Sequence, residues 1–202
     1  MKVDAPRVGC ACMPRMGSIN AMRGMMQDTE LAYTSASQLR HLLDSQQVSP
    51  VELTELYLRR IEEQNPSLSA FLTITGEEAL NSARKAEKEI SRGDFCGPLH
   101  GIPIAIKDLE ITKGIRTTLG SLVFKDTIPD QDSAMVERIR AAGAIILGKT
   151  NTPEFGLSGT TSNRLGGECL NPWDTARTSG GSSGGAGSAL AAGMCPIATG
   201  TD

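Results

Sequence analysis

Six residues with no side chain larger than a hydroxymethyl stand in a row, Gly180-Gly181-Ser182-Ser183-Gly184-Gly185, and the small-residue run Ala186 to Ala192 follows at once. Such a loop admits a substrate or a second backbone at close range. A serine there becomes a proton carrier or a nucleophile when a base lies near. Two other readings compete. Gly/Ser tracts also make flexible linkers, but a linker does not run into a helix-forming Ala/Leu segment. Glycine amides at a helix start also attract anions, but the Gly-Lys-Ser/Thr ending of a phosphate loop is absent.

The base has to be sought among lysines. His41 falls in an amphipathic helix pattern, and His100 stands between Leu99 and Gly101 in a turn-like stretch where a surface or structural role fits better. Gly101-Ile102-Pro103-Ile104-Ala105-Ile106-Lys107-Asp108 is apolar and β-branched, and reads as a buried strand with Lys107 near its end. Burial disfavours the ammonium form, so a lysine carried inside can accept a proton near neutral pH. Strand alternation sends Asp108 to the face opposite Lys107. Lys149, after the short apolar run Ala144 to Gly148, is a rival on composition alone; Lys107 is preferred because its strand is longer.

Four blocks occur in a fixed order: Gly101 to Asp108, Gly148 to Phe155, Asn171-Pro172-Trp173-Asp174, and Gly180 to Gly185 with its alanine-rich continuation. In this order, over roughly residues 30 to 202, the chain resembles the amidase signature family, serine hydrolases of carbon–nitrogen bonds that include components of transfer-RNA amidotransferases and fatty acid amide hydrolases. The resemblance implies a Ser-cisSer-Lys triad needing no metal or cofactor. Lys107 matches its base, and Ser182 matches the bridging serine after a cis peptide bond. Gly156 and Ser158 would border the substrate cleft together with Ser182. Gly180, Gly181, Ser183, Gly184 and Gly185 would shape the loop. The family's acyl-accepting serine and its oxyanion hole belong to an Asp-x-Gly-Gly-Ser element, of which Thr201-Asp202 matches the beginning; both are therefore expected beyond residue 202. Ser182 as a substitute nucleophile would lack that hole. A non-catalytic, truncated amidase-like binding protein is the alternative reading, and a nucleotide-binding protein a third.

Elements that would position these residues can be read in outline. Ala36, Leu39, Leu42 and Leu43 share a helical face within a helix from Leu31 to about Asp44. Ser49-Pro50-Val51-Glu52 is a capping box opening a second helix that Asn65-Pro66 is expected to end. A strand follows over Leu68 to Thr75 and a helix over Glu77 to Ser91. Ser133 to Ala142, capped by Asp132 or Ser133, and the strand after it complete a βαβ unit with the Lys107 strand. Thr117, Thr118 and Ser121 could line a cleft but read better as turn and cap residues, Trp173 is expected beneath the Gly-rich loop, Arg177 could hold an acidic group, and Cys195 to Gly200 reads as a further strand. The expected fold is α/β, with a mixed, largely parallel sheet flanked by helices and incomplete at its C-terminal end.

Composition sets the class. The 202 residues are 39% hydrophobic and 21% charged, with a formal net charge of −3 and scattered basic residues, which argues against direct nucleic-acid binding. No apolar run reaches the length of a membrane-spanning helix. The five cysteines at 10, 12, 96, 169 and 195 form no Cys-x-x-Cys pair, which suits a reducing, cytoplasmic setting. Cys10-Ala11-Cys12 lacks further ligands for a metal. Residues 1 to 28, rich in Met, Gly and Pro and positively charged, read as a disordered tail, with organelle import as the alternative. A small-molecule amide is the expected partner, and a second copy or another chain is expected to cover an open sheet edge.

Overall fold

The computed structural model describes residues 28–201. The tail expected over residues 1–28 lies, but for Asp28, outside the described residues, as do Cys10 and Cys12. In chain order the main elements are α1 (Asp28–Ala32), α2 (Ala36–Asp44), α3 (Pro50–Leu68), β1 (Phe71–Ile74), α4 (Gly76–Arg92), β2 (Pro103–Lys107), α5 (Ala134–Ala141) and β3 (Ile145–Thr150). Two short hairpins follow, β4 (Ser162–Asn163) with β5 (Gly167–Glu168), and β6 (Leu170–Asn171) with β7 (Asp174–Thr178), and then α6 (Gly184–Ala191).

Local chemistry explains most of these boundaries. Ser35 and Ser49 each accept the N3 amide while the N3 side chain, Gln38 or Glu52, takes the cap amide in return. Ser35 restarts the backbone, so the single helix expected from Leu31 is two, α1 and α2. Ser133, not Asp132, caps α5, because Asp132 is engaged by the Lys113 amide (2.6 Å) and Arg140 (2.9 Å). Pro66 does not end α3, which runs on to Leu68. A proline in the last turn forfeits only one amide bond, and the Asn65 side chain instead pairs with both backbone groups of Phe71. The strand expected over Leu68 to Thr75 is shortened accordingly to β1.

The sheet order is β1-β3-β2, with β2 parallel and β1 antiparallel to β3. The β2–α5–β3 segment is the expected βαβ unit. Cys195 to Gly200 does not form a strand; Ala198 makes one parallel bridge to Ala105, through Ala105 N to Ile197 O and Thr199 N to Ala105 O, each 3.0 Å. One sheet face carries the larger core, where Leu53, Tyr57 and Ile61 of α3, Ala79, Ala83 and Ala86 of α4 and Ala189 of α6 meet Ala105, Ile145 and Leu147. The other face holds Ile104, Ile106 and Ile146 against Ile115 and Val136 of α5. Helices thus cover both faces of a mixed sheet, an α/β layer architecture.

A β-bulge sets the faces of β3. Ile146 opposes Ile104, but Gly148 opposes Ala105, so Leu147 and Gly148 share one partner. A Cβ at Gly148 would collide with the Thr73 carbonyl, so only glycine fits the bulge. Past it, Lys149 falls on the Ile104/Ile106 face and Thr150 on the Lys107 face.

The C-terminus of α6 is held by α3. Arg60 donates to Gly193 O (2.7 Å) and Ala192 O (2.8 Å), Gln64 to Ala192 O (3.2 Å), and Tyr33, beneath the Arg60 guanidinium, to Ala191 O (3.2 Å). These donors answer the orphan carbonyls and the negative end of the helix dipole. At the other end, Gly185 sits on the Asn151 and Ala70 carbonyls, and an added Cβ would lie 2.5 and 2.7 Å from those oxygens.

Two stability measurements follow from this packing. Gly185→Ala is expected to lower the unfolding free energy by about 2–4 kcal/mol, since backbone on both sides prevents relaxation; a denaturant midpoint within error of the parent would contradict that close approach. Arg60→Met is expected to cost about 1–2 kcal/mol by the same measurement, through the carbonyls it leaves bare.

Candidate active site

Lys107 is the last residue of a strand buried along its whole length, and its side chain is fully buried as well. Its backbone amide donates to Thr199 Oγ1 (2.7 Å). Its Nζ lies 2.8 Å from Ser182 Oγ, 2.8 Å from Ser183 Oγ and 2.7 Å from Thr201 Oγ1. Three neutral hydroxyls surround the amine, and among the described residues no carboxylate touches it. Burial therefore pulls the Lys107 acid constant below the ordinary lysine value, and the charge of Glu110 opposes this only in part.

The three hydroxyls are not equivalent. Ser183 Oγ donates to Thr201 O (3.2 Å) and accepts from Thr201 N (3.1 Å), so its hydrogen is committed. That engagement also leaves Ser183, the residue before α6, without a capping bond to the helix. Ser182 Oγ has Lys107 as its one hydrogen-bond partner among the described residues. Its hydrogen is free to pass to a neutral amine, and it is half-buried at the open side of the loop. The arrangement can carry a proton from Ser182 to Lys107 and back.

The loop is held from three directions. The Gly181–Ser182 peptide bond is cis. Gly181 lies against the Ser158–Thr160 backbone, with its Cβ position 2.8 Å from Ser158 O. Gly184 N donates to Thr161 Oγ1 (3.1 Å) and Gly185 N to Asn151 O (3.2 Å). Gly180 has a φ of +78° at the turn from β7. Ser158 is exposed, and its hydroxyl accepts from Thr160 N (3.2 Å). Gly156 turns the chain against the Leu109 side chain, one loop away.

Other residues singled out from the sequence lie elsewhere. Lys149 is equally buried, but across the sheet: its Nζ donates to Glu110 O (2.6 Å), Thr117 Oγ1 (2.7 Å) and Thr112 Oγ1 (3.0 Å), and lies 3.8 Å from Asp108 Oδ1. Burial brings it down to about 8, against the pull of the Asp108 carboxylate. His100 is buried and structural, between Glu89 Oε2 (3.1 Å) and the Cys96 amide (3.4 Å). Trp173 does not pack beneath the Gly-rich loop; it sits at the tip of the β6–β7 hairpin, 83% exposed, because the connection is too short to fold it back. Arg177 pairs with Asp174 at 2.9 Å on that hairpin. Thr199 and Thr201 are contacts that sequence reasoning missed: a threonine in a segment with no clear period carries no signal of its own.

Comparison with known proteins gives the family. A family model described as Amidase matches residues 52–202. The A-subunit of the glutamyl-tRNA(Gln) amidotransferase of an Azoarcus species is 49% identical over 168 residues, covering 83% of this chain and 34% of that protein. Its counterpart from Carboxydothermus hydrogenoformans is 41% identical over 173 residues, covering 86% and 36%. Among solved structures, a bacterial aryl acylamidase of the amidase signature enzymes superposes with a TM-score of 0.78 at 34% identity, over 82% of this chain and 35% of that one. The peptide amidase of Stenotrophomonas maltophilia gives 0.76 at 33% identity, over 82% and 35%. The chain spans about a third of the length of the curated relatives it matches. With the family model extending over well more than half of its residues, the chain belongs to the amidase signature family.

Proposed function

We propose that the chain supplies the lysine and the relay serine of an amide hydrolase, cleaving a carbon–nitrogen bond of a small-molecule amide by acyl transfer. The observation that carries this reading is the fully buried Lys107 amine 2.8 Å from a serine hydroxyl with no other partner among the described residues. In this reading neutral Lys107 takes the Ser182 proton, and Ser182 takes that of an acyl-accepting serine outside residues 1–202. In the reverse direction the same two groups return a proton to the leaving amine. Gly156 and Ser158 border the substrate cleft in this reading, the latter through its contact with Gly181. The names of the relatives span glutamyl-tRNA(Gln), aryl acylamide and peptide amide chemistry, so the acyl group is left to the assay. The β2 side of the sheet, met only at Ala198 among the described residues, is where further strands or a partner chain would extend it.

The test is amide hydrolysis by the native polypeptide, read as amine or ammonia release from glutamine, aliphatic and aryl amides. Lys107→Ala and Ser182→Ala are each expected to lower kcat/KM by about a thousandfold or more. Turnover unaffected by both would overturn the reading, and amide binding without turnover at any pH would replace it with a binding protein. Ser183→Ala is expected to cost only about tenfold, because the Ser183 hydroxyl already donates its hydrogen to Thr201 O; a loss equal to that of Ser182→Ala would reverse the two roles. The lowered acid constant of Lys107 also fixes the sign of the pH profile. The rate should rise with pH along a limb centred below the ordinary lysine value of 10.5, as the amine loses its proton. A flat profile across that range would show that another group is the base.

A further inference from the structure

Behind the site lies a second set of buried polar groups that the proton relay does not use. Asp108 follows Lys107 directly and points through the sheet to the opposite side, fully buried. Its Oδ2 accepts from Thr118 N (3.0 Å), from the Thr118 hydroxyl and, at 3.5 Å, from Gly120 N. Its backbone is tied on both sides, N to Thr150 O (3.1 Å) and O from Leu119 N (3.2 Å). Its Oδ1 has no hydrogen-bond partner and lies 3.8 Å from Lys149 Nζ.

The turn that Asp108 gathers is itself a brace. Leu119 O accepts from Phe155 N (2.8 Å), and Ser121 Oγ donates to Glu154 Oε1 (2.6 Å). Gly120 lies flat on the Thr152 and Pro153 carbonyls, its Cβ position 2.7 and 2.9 Å from the two oxygens. The segment so braced continues through Gly156 to Ser158–Thr160, the backbone on which Gly181 rests. One carboxylate therefore joins the strand end that carries Lys107 to the loop that supports the Ser182 peptide.

We infer that Asp108 is a positioning residue, which fixes Lys107 relative to Ser182 by holding the 118–121 turn against the 152–160 loop, with Lys149 as its charge partner. A purely electrostatic pair would bring the two charges into direct contact; here the carboxylate oxygen that makes hydrogen bonds is the one turned to the turn amides, and the lysine satisfies its donors on Glu110 O, Thr112 and Thr117 instead. The acceptor geometry is the working part. Burial pushes the Asp108 carboxyl above the ordinary carboxylate value, and the Thr118 hydrogen bond and then the Lys149 charge oppose it; removing either member of a buried pair alone leaves the other uncompensated. The inference rests on the hydrolase reading for its functional meaning, whereas its test needs no turnover, so the two can fail separately.

The experiment compares Asp108→Ala, the double variant Asp108→Asn/Lys149→Met and the double variant Asp108→Ala/Lys149→Met in the full polypeptide. Two readouts are taken, amide hydrogen exchange and the Lys107 Cε resonance in carbon-13 lysine-labelled protein. In Asp108→Ala, exchange at Phe155 and at Gly120 is expected to rise about tenfold or more while α3 amides hold, and the Lys107 resonance to move. Asp108→Asn/Lys149→Met retains an acceptor without either charge and is expected to restore both readouts. Asp108→Ala/Lys149→Met, which lacks the acceptor, is not. A uniform rise in exchange, an unmoved Lys107 resonance, or identical behaviour of the two doubles would each overturn the inference. If Asp108→Ala does not fold, Thr118→Val, which removes one donor and no charge, is expected to give the same local pattern at Phe155, and its absence would be equally decisive.

Discussion

An amine held inside a protein without a counter-ion is unstable as a cation, and that constraint organises this molecule. Among the described residues Lys107 meets three hydroxyls and no carboxylate, and its side chain is buried. Its donors are satisfied, but its charge is not balanced, so the proton is held weakly. To keep the amine there the fold must bring three separate segments to one strand end: the Ser182-Ser183 loop, the Thr199–Thr201 segment, and the sheet itself. The loop is secured where Gly181 and Gly185 lie against backbone, and the Thr199–Thr201 segment by hydrogen bonds to Ala105, Lys107 and Ser183.

Two buried lysines on adjacent strands then have to be kept apart in role. Plain alternation along β3 would have placed Lys149 on the face of Ile145 and Leu147, the same face as Lys107. The bulge at Leu147–Gly148 turns it over, toward a carboxylate and a set of carbonyl and hydroxyl acceptors. One lysine is left among neutral groups and the other beside an anion. Burial lowers the proton affinity of both amines; what the bulge separates is their partners, serine hydroxyls for Lys107 and carbonyl and threonine acceptors for Lys149.

The helix that follows the loop is short, rich in small residues and apolar, and contributes little on its own. Its position is imposed from outside, by Arg60, Gln64 and Tyr33 at one end and by the Asn151 and Ala70 backbone at the other. Pinning both ends of α6 pins Ser182 and Ser183, which lie at its start. The stability of the larger core and the geometry of the site are thus linked through one element.

The sequence by itself determined the parts that depend on local chemistry. Capping boxes at Ser35 and Ser49, the apolar run that buries Lys107, the βαβ spacing and the Gly/Ser loop were all legible, because cap hydrogen bonds, side-chain periodicity and backbone freedom are properties of neighbouring residues. Where sequence reasoning failed, the outcome turned on backbone geometry that residue type does not rank. Pro66 stays helical because it falls in the last turn, where Asn65 pairs with Phe71; Trp173 points to solvent from a short hairpin turn; and Cys195 to Gly200 makes a single bridge to Ala105 rather than a strand. The sequence favoured Lys107 over Lys149, and its family resemblance Ser182 over Ser183; only the tertiary structure supplied what turns Lys149 away from the serines and what leaves Ser182 its free hydrogen. The first depended on a one-residue bulge and the second on a threonine 18 residues away, and neither leaves a periodic trace in the chain.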